Sequence, residues 1–427
     1  VSDALVLGID VGTSGVRACA VDSGGNAAAL AATEMPSPRQ VGAIVEQDPA
    51  VWWEAAVAAI GAVGRSVDLS RVRRLAVDGT SGTLLLIDAQ GRPCSPGLMY
   101  NDARAAAEAN RVRVAAPPES GAHGASSALA KLLHLTSHGV PVGVCHAVHQ
   151  ADWIAGRLAG RFGVSDENNA LKLGYDPVTR AWPDWFGDLD LPHRLLPSVL
   201  VPGAHVGRID PEQAAALGLR ADTEIRAGTT DGVAAFVATR ASASGDAVTS
   251  LGSTLVLKLL SDRPVFSPAQ GVYSHRLGDR WLAGGASNSG GAALLAQVTA
   301  EQMAALTPRL EPDRPTGLDY YPLPSPGERF PLADPALQPR VSPRPPDDAV
   351  FFQGLLEGIA AIEALGYQRL AALGASPLKR VITIGGGARN DAWTAIRARR
   401  LGVSVSVAAQ TEAAFGAALL ALNGGPP

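Results

Sequence analysis

Twice in this 427-residue chain an apolar run meets a Gly/Ser/Thr turn and leaves it as a second apolar run. The first instance is Leu5 to Asp10, the turn Gly12-Thr13-Ser14-Gly15, and Val16 to Val21. The second is Ala247 to Leu251, the turn Gly252-Ser253-Thr254, and Leu255 to Leu260. β-Rich runs around turn-forming residues read as hairpins. Their recurrence is an internal symmetry that predicts two halves of one architecture. The length suits two domains of roughly 100–200 residues each.

The segments between these hairpins fill in the rest. Glu46-Gln47-Asp48-Pro49 opens a helix, with Asp48 as cap and Pro49 at the first position. Trp52, Trp53, Ala56, Val57 and Ile60 follow at helical spacing. Leu75 to Val77 runs as a strand into Asp78-Gly79-Thr80-Ser81-Gly82, with Leu84 to Ile87 beyond. Helices are expected over 127–135 and 151–158. Ile225 to Ala227 leads through Gly228-Thr229-Thr230-Asp231 into an apolar helix over 233–239. Residues 308–346 are proline-rich and read either as an ordered irregular excursion or as a mobile loop. A helix over 349–373, a strand over 381–384 ending at Gly385-Gly386-Gly387, and a helix over 412–422 complete the chain. Hairpins mixed with strand–helix alternation predict two α/β domains, 1–235 and 236–427.

Composition excludes several classes. Hydrophobic residues make up 47% of the chain, yet no uninterrupted apolar run reaches the ~18 residues of a membrane span. The N-terminus shows no basic region or cleavage site of a signal peptide. A net charge of −4 offers no electrostatic footprint for nucleic acid or an anionic membrane. Cys19, Cys94 and Cys145 lie far apart without a Cys-x-x-Cys pair, and read as three small core residues in a reducing compartment. These bounds predict a cytoplasmic protein that handles metabolites. No Gly-Lys dipeptide occurs, which rules out a Walker phosphate loop. Gly8, Gly12 and Gly15 have the wrong spacing for a dinucleotide fingerprint. His146 and His149, three apart without a third ligand, read as ordinary helix residues rather than metal ligands.

What remains is a set of carboxylates and Gly/Ser/Thr turns at strand ends, each with two readings. Asp10 is either a turn residue bonding its own backbone or a carboxylate of a magnesium or phosphate site. Arg17 either neutralises a phosphate or is an exposed strand residue. The turn Gly252-Ser253-Thr254 is either a plain hairpin or the counterpart of the first turn, holding the other end of a polyphosphate. Gly385-Gly386-Gly387 either admits a flat ligand or is a strand-to-helix turn with Asn390 as cap. Asp231 is either a helix cap or the base that phosphoryl transfer to an alcohol requires.

In order and spacing, five segments together resemble the FGGY family of carbohydrate kinases. They are Gly8-Ile9-Asp10-Val11-Gly12-Thr13-Ser14, Glu46-Gln47-Asp48-Pro49, Tyr100-Asn101-Asp102-Ala103-Arg104, Gly228-Thr229-Thr230-Asp231 and Gly385-Gly386-Gly387. The resemblance runs from Leu5 to Ala421. It implies an α/β fold of two ribonuclease-H-like domains of the actin/hexokinase/heat-shock-70 type, with ATP and magnesium in a cleft between them. The N-terminal domain would bind the sugar and the C-terminal domain the nucleotide. By position, Asp10 resembles the family carboxylate that acts through magnesium, and Gly12, Thr13, Ser14 and Arg17 its first phosphate segment. Gly252, Ser253 and Thr254 resemble the second phosphate segment. Gly285 falls where the family lines the nucleotide site, and Gly386, Gly387 and Asn390 match the adenosine motif. Asp231 matches the catalytic base and is a second metal-site carboxylate.

Two departures bear on the sugar. Asp78-Gly79-Thr80-Ser81-Gly82-Thr83 stands where xylulose kinases usually carry a Gly-Gln-Met-His-Gly-like segment, and the chain is shorter than is usual for the family. With Tyr100 to Arg104 and Ser250-Leu251-Gly252-Ser253-Thr254, this segment is most similar to the branch described as D-ribulose kinases. The expected reaction is therefore D-ribulose to D-ribulose 5-phosphate, with Ser81, Asp102, Asp10 and Asp231 touching the sugar. For Ser81 and Asp102 the plain alternatives are a turn serine and a surface turn aspartate. Xylulose, ribitol or glycerol as substrate, an ATPase switch, and a sugar sensor of the same fold remain as alternatives.

Overall fold

The strand Leu5–Val11 is buried at every position, so both faces of the sheet around it must be covered. In the computed structural model, which describes residues 4–425, this strand lies inside a six-stranded sheet. The strand order is His205–Arg208, Glu224–Thr230, Val72–Gly79, Leu5–Val11, Gly15–Asp22, Ala27–Glu34. Leu5–Val11 pairs antiparallel with Gly15–Asp22 and parallel with Val72–Gly79, which is parallel in turn to Glu224–Thr230.

Alternation along the strand divides the two faces. Leu5, Leu7, Ile9 and Val11 pack into a core with Trp52, Ala56 and Ile60 of the helix Pro49–Gly64. Gly8 faces the other way, against the helix Ala413–Asn423. A Cβ on Gly8 would lie 1.9 Å from the Ala414 carbonyl oxygen, so only glycine admits this approach. On the same helix, a Cβ on Gly416 would lie 1.9 Å from the carbonyl oxygen of Ala234, in the helix Asp231–Ala238.

The chain divides into two compact units. One runs up to Arg240 and takes in His275–Gly278 and the C-terminal segment from Glu412; the other comprises Ala241–Ser274 and Asp279–Thr411. The sequence predicts a single division at 235/236. In the structure the first unit runs on to Arg240 and takes back the closing helix, whose small apolar residues fit the first sheet.

The first unit also holds a five-stranded sheet: Arg39–Val41, Ile44–Gln47, Gly97–Leu98, Leu84–Asp88, Val144–His149. One face carries its own core, including Leu84, Leu86, Leu129, Leu132 and Phe186. Here a sequence expectation fails: His146 and His149 are strand residues, not helix residues. Three apart on a strand, they point to opposite faces. The cysteine expectation holds only for Cys19, which is buried; Cys94 is exposed and Cys145 half-buried.

The second unit repeats the first sheet. Five of its strands lie in the order Arg280–Ser287, Leu255–Ser261, Asp246–Leu251, Arg380–Ile384, Ser404–Val407. The hairpin strands are antiparallel, and Arg380–Ile384 runs parallel to Asp246–Leu251 as Val72–Gly79 does to Leu5–Val11. The symmetry of the two hairpins is therefore a symmetry of whole sheets. The proline-rich stretch is an ordered excursion. Tyr320, Leu323 and Phe330 enter the second core, and Glu328 accepts hydrogen bonds from Ser287 Oγ at 2.5 Å and Tyr321 Oη at 3.0 Å. The 25-residue helix Asp348–Ala372 is long and apolar enough to cross a membrane, but it is the central helix of this core.

A buried polar network joins the second sheet to its helices. Arg397 donates to both oxygens of Glu363, at 2.6 and 2.7 Å, and to Thr383 Oγ1 at 2.7 Å. Glu363 also accepts from Thr249 Oγ1 at 2.5 Å, whose oxygen lies 2.7 Å from the Tyr367 hydroxyl. Truncating one partner of a buried pair strands the other charge. Glu363→Ala is expected to lower unfolding stability by about 3–5 kcal/mol, measured by chemical denaturation against the wild type.

Candidate active site

Three adjacent parallel strands end together, and each delivers a carboxylate. Asp10 has Arg17 as register partner across the hairpin and Asp78 as partner on the parallel neighbour. Thr229 pairs with Asp78 and Thr230 with Gly79. Asp231 follows immediately, as the first residue of the helix Asp231–Ala238. The carboxyl ends of strands in such sheets are where α/β proteins bind ligands.

The local surroundings decide between the paired readings. Asp10 does not bond its own turn. Its carboxylate is buried, accepts from Arg17 Nη1 at 3.3 Å, and lies against Asp78. Burial pushes its pKa up, against the opposing pull of Asp78 and Arg17. Arg17 also reaches Glu412 at 3.3 Å and keeps about half of its side chain (47%) exposed. The first turn closes by Gly12 N donating to Gly15 O at 3.0 Å, which leaves Ser14 exposed and Thr13 half-buried. Asp231 is not the cap of its helix: Thr230 holds that position, and Asp231 Oδ1 accepts from Gly232 N at 2.6 Å.

Sequence reasoning passed over Asp78. It is wholly buried, and no donor from another residue reaches either carboxyl oxygen. Burial first, then the nearby Asp10, Asp231 and Asp166 carboxylates, push its pKa well above the carboxylate range. The signal was present in the sequence, as an Asp ending an apolar run in the same way as Asp10.

The turn after Asp78 is held from beneath. Lys131 is completely buried and donates Nζ to Gly82 O at 2.8 Å and Met99 O at 2.6 Å. Burial lowers its pKa to about 7, and a neutral amine carries two N–H donors, one for each carbonyl. Ser81 Oγ is buried with no hydrogen-bond partner, so Ser81 is not merely a turn serine satisfied by its own loop.

Asp102 is not a surface residue. It is fully buried, accepts from Val45 N at 2.7 Å and is clamped by Arg104 Nε and Nη2 at 2.7–3.0 Å. Arg104 continues to Glu46 at 2.8 Å, so the Tyr100 to Arg104 and Glu46 to Pro49 segments are one polar knot.

Another missed group is Asp166, Glu167, Asn168 and Asn169, all buried. Asn168 Nδ2 donates to Thr229 Oγ1 at 3.0 Å, one strand from Asp78. Glu167 Oε2 and Asn169 Oδ1 lack partners. A run of four polar residues looks like a loop in sequence, and nothing local announces its burial.

In the second unit the turn Gly252-Ser253-Thr254 closes by Gly252 N to Thr254 O at 3.2 Å. Ser253 is exposed and Gly252 and Thr254 half-buried. Gly385-Gly386-Gly387 lies beside it: a Cβ on Gly385 or Gly387 would strike Leu251 at 2.7 Å, whereas one on Gly386 would meet nothing within 4 Å. Asn390 caps the helix Asp391–Leu401 through Trp393 N at 2.9 Å, and its Nδ2 reaches Thr307 Oγ1 at 3.2 Å. Gly285 is a packing residue here, since a Cβ would lie 2.7 Å from the Phe330 ring. Among the described residues no three His, Cys, Asp or Glu side chains are grouped to hold a metal. Magnesium needs only one or two carboxylates beside water and phosphate oxygens, which Asp10 with Asp231 close by at the adjoining strand ends fits.

Comparison with known proteins bears on the family. The FGGY carbohydrate kinase N-terminal domain matches residues 5–121, and the C-terminal domain of the same family matches 247–424. A protein named xylulose kinase from Escherichia coli (strain K12) is 26% identical over 415 residues, covering 91% of this chain and 83% of that protein. A crystal structure described as a xylulose kinase from Brucella ovis superposes with TM-score 0.89 at 24% identity, over 98% of this chain and 91% of the other. A gluconate kinase structure from Lactobacillus acidophilus reaches TM-score 0.85 at 19% identity, over 98% of this chain and 89% of the other.

Two outcomes follow from the buried ionisable groups. Asp78→Asn is expected to raise the thermal unfolding midpoint of the ligand-free protein and to lower its turnover. A rise in midpoint with turnover unchanged would make Asp78 a structural defect rather than a site residue. For Lys131 the folded pKa of about 7 lies below the ordinary 10.5, so the unfolded chain binds the proton through that interval. Its contribution to stability must then grow as pH rises from about 7. The stability of the wild type relative to Lys131→Met is expected to be greater at pH 9 than at pH 7, by urea unfolding.

Proposed function

The chain belongs to the FGGY family of carbohydrate kinases and is an ATP-dependent sugar kinase; on that premise we propose that its acceptor is a ketopentose, D-ribulose, and its product D-ribulose 5-phosphate. The observation carrying the reading is the row Asp10, Asp78 and Asp231 at three neighbouring strand ends, beside a turn whose Ser81 hydroxyl has no partner. The free Ser81 hydroxyl suits a polyhydroxylated acceptor, and residues 78–83 carry no bulky imidazole.

In the proposed reaction Asp231 accepts the proton of the sugar hydroxyl as that oxygen attacks the terminal phosphorus of ATP. The O–H bond breaks, the O–P bond forms, and the bond to the β-phosphate oxygen breaks, so ADP leaves. Asp231 stands at a helix N-terminus, which keeps its carboxylate ionised but makes it a weaker base. Asp10, with Asp231 as second carboxylate, would hold magnesium, which neutralises charge on the phosphates when bound. Gly12, Thr13, Ser14 and Arg17 would form a first phosphate segment, and Gly252, Ser253 and Thr254 a second phosphate segment. Gly386 and Gly387 offer backbone to adenosine, with Asn390 as the cap beside it, while Gly285 acts through packing. Ser81 would contact the sugar directly. Asp102, with its oxygens committed to Arg104 and Val45, would act on the sugar turn from behind. A cytoplasmic setting accompanies ATP as donor.

Xylulose is the second reading, favoured by the name of the Escherichia coli relative. A coupled ADP-release assay over ketoses and polyols separates the two. D-Ribulose is expected to give the highest kcat/KM, and preference for xylulose would overturn the assignment. Asp231→Ala is expected to reduce kcat about 10²-fold or more, and turnover near wild type would remove Asp231 as base.

A further inference from the structure

The helix Gln150–Ala159 begins beside the turn that follows Asp78. Its first side chain, Gln150, is entirely buried. Gln150 Oε1 accepts from Thr80 N at 3.2 Å and from Thr80 Oγ1 at 2.8 Å. A main-chain N–H can only donate, so the carboxamide orientation is determined: the oxygen faces Thr80 and the NH2 group points away. Since Thr80 Oγ1 spends its proton on Gln150, the 2.6 Å contact with Thr83 Oγ1 has Thr83 as donor. Every group in this clamp is satisfied except one. Gln150 Nε2 is buried and has no acceptor.

Leaving a buried donor without an acceptor costs about 1–3 kcal/mol. Such a deficit calls for a partner from outside the protein, and at a candidate substrate site a ligand can supply it. The position of Gln150 says which ligand. Gly79, one residue before the clamp, is the register partner of Thr230, which immediately precedes Asp231. A Cβ on Gly79 would lie 3.3 Å from Gln150 Oε1, so the carboxamide sits directly on that strand end. The neighbouring Ser81 Oγ is the other buried, partnerless group of the turn.

We infer that Gln150 is a specificity-determining sugar contact, whose clamped carboxamide donates its free N–H to a hydroxyl oxygen of the acceptor. The inference rests on the reading of this strand-end cluster as the sugar site. The Thr80–Thr83 pair acts as a positioning device, holding the carboxamide before substrate arrives. A preset donor discriminates strongly against an acceptor that lacks the matching oxygen.

The test combines kinetics with a direct view of the side chain. Full-length protein labelled with 15N at glutamine is titrated with each ketose and polyol of a panel, alongside ADP-release assays. Gln150→Glu keeps the oxygen that faces Thr80 and replaces the donor by an acceptor. It also assigns the resonance by its disappearance; should it not fold, Gln150→Met serves for assignment. The sugar that drives ADP release is expected to shift the Gln150 side-chain amide signal. In Gln150→Glu its KM is expected to rise about tenfold or more, with KM for ATP within about twofold. ADP release without an amide shift and without a KM change overturns the role of Gln150 and leaves the kinase reading intact. An amide shift without ADP release keeps Gln150 as a sugar contact and overturns the proposed substrate. Neither signal with any sugar overturns both.

Discussion

The first unit depends on one close approach, the backbone of the helix Ala413–Asn423 against the strand Leu5–Val11 and the helix Asp231–Ala238. Gly8 permits it on the strand and Gly416 on the helix, and in both cases a single methyl group would overlap a carbonyl oxygen. The same helix therefore indexes two elements against each other. One carries Asp10 as its penultimate residue and the other begins with Asp231. The position of the candidate base relative to the candidate metal carboxylate is thus set by main-chain contact. Main chain is stiffer than any side-chain packing that could replace it.

Around that frame the protein concentrates polar burial. Asp78, Ser81, Gln150 and the Asp166–Asn169 segment are removed from water near the same strand ends, and several of their atoms have no partner. Other buried networks are closed on themselves. Arg397, Glu363, Thr249 and Tyr367 complete one another in the second unit, and Asp102 is saturated by Arg104 and Val45 in the first. These closed networks hold the fold, while Asp78, Ser81 and Gln150 keep unspent hydrogen-bonding groups beside the candidate site. Asp102 and Ser81 illustrate the contrast, since both were read from sequence as sugar contacts but only Ser81 keeps an unspent hydrogen bond.

The duplicated sheet explains why the two hairpin turns look alike while their neighbours do not. Each turn follows a central strand flanked by a parallel neighbour, so the backbone geometry recurs. The parallel neighbour ends in Asp78-Gly79 in one unit and in Ile384-Gly385 in the other. One strand end presents carboxylates and the other presents bare backbone, which fits the former for a hydroxyl and a metal and the latter for a flat ring.

The sequence by itself determined the two hairpins, the capped helix at Asp48, the strand-end positions of Asp10 and Asp231, and the family they resemble. Those features are local: turn chemistry, hydrophobic period and caps act over a few residues. It did not determine which half owns the closing helix, because Ala413–Asn423 is apolar on all sides and fits any core until Gly8 and Gly416 meet their carbonyls. It misread His146 and His149, whose strand pairs with residues about 60 positions earlier in sequence. It passed over Lys131 and Gln150 because a lone Lys or Gln carries no local mark of burial, and over Asp78 even though that residue ends an apolar run as Asp10 does. Only tertiary structure removes such groups from water, and their partners, or the lack of them, lie on segments distant in the chain.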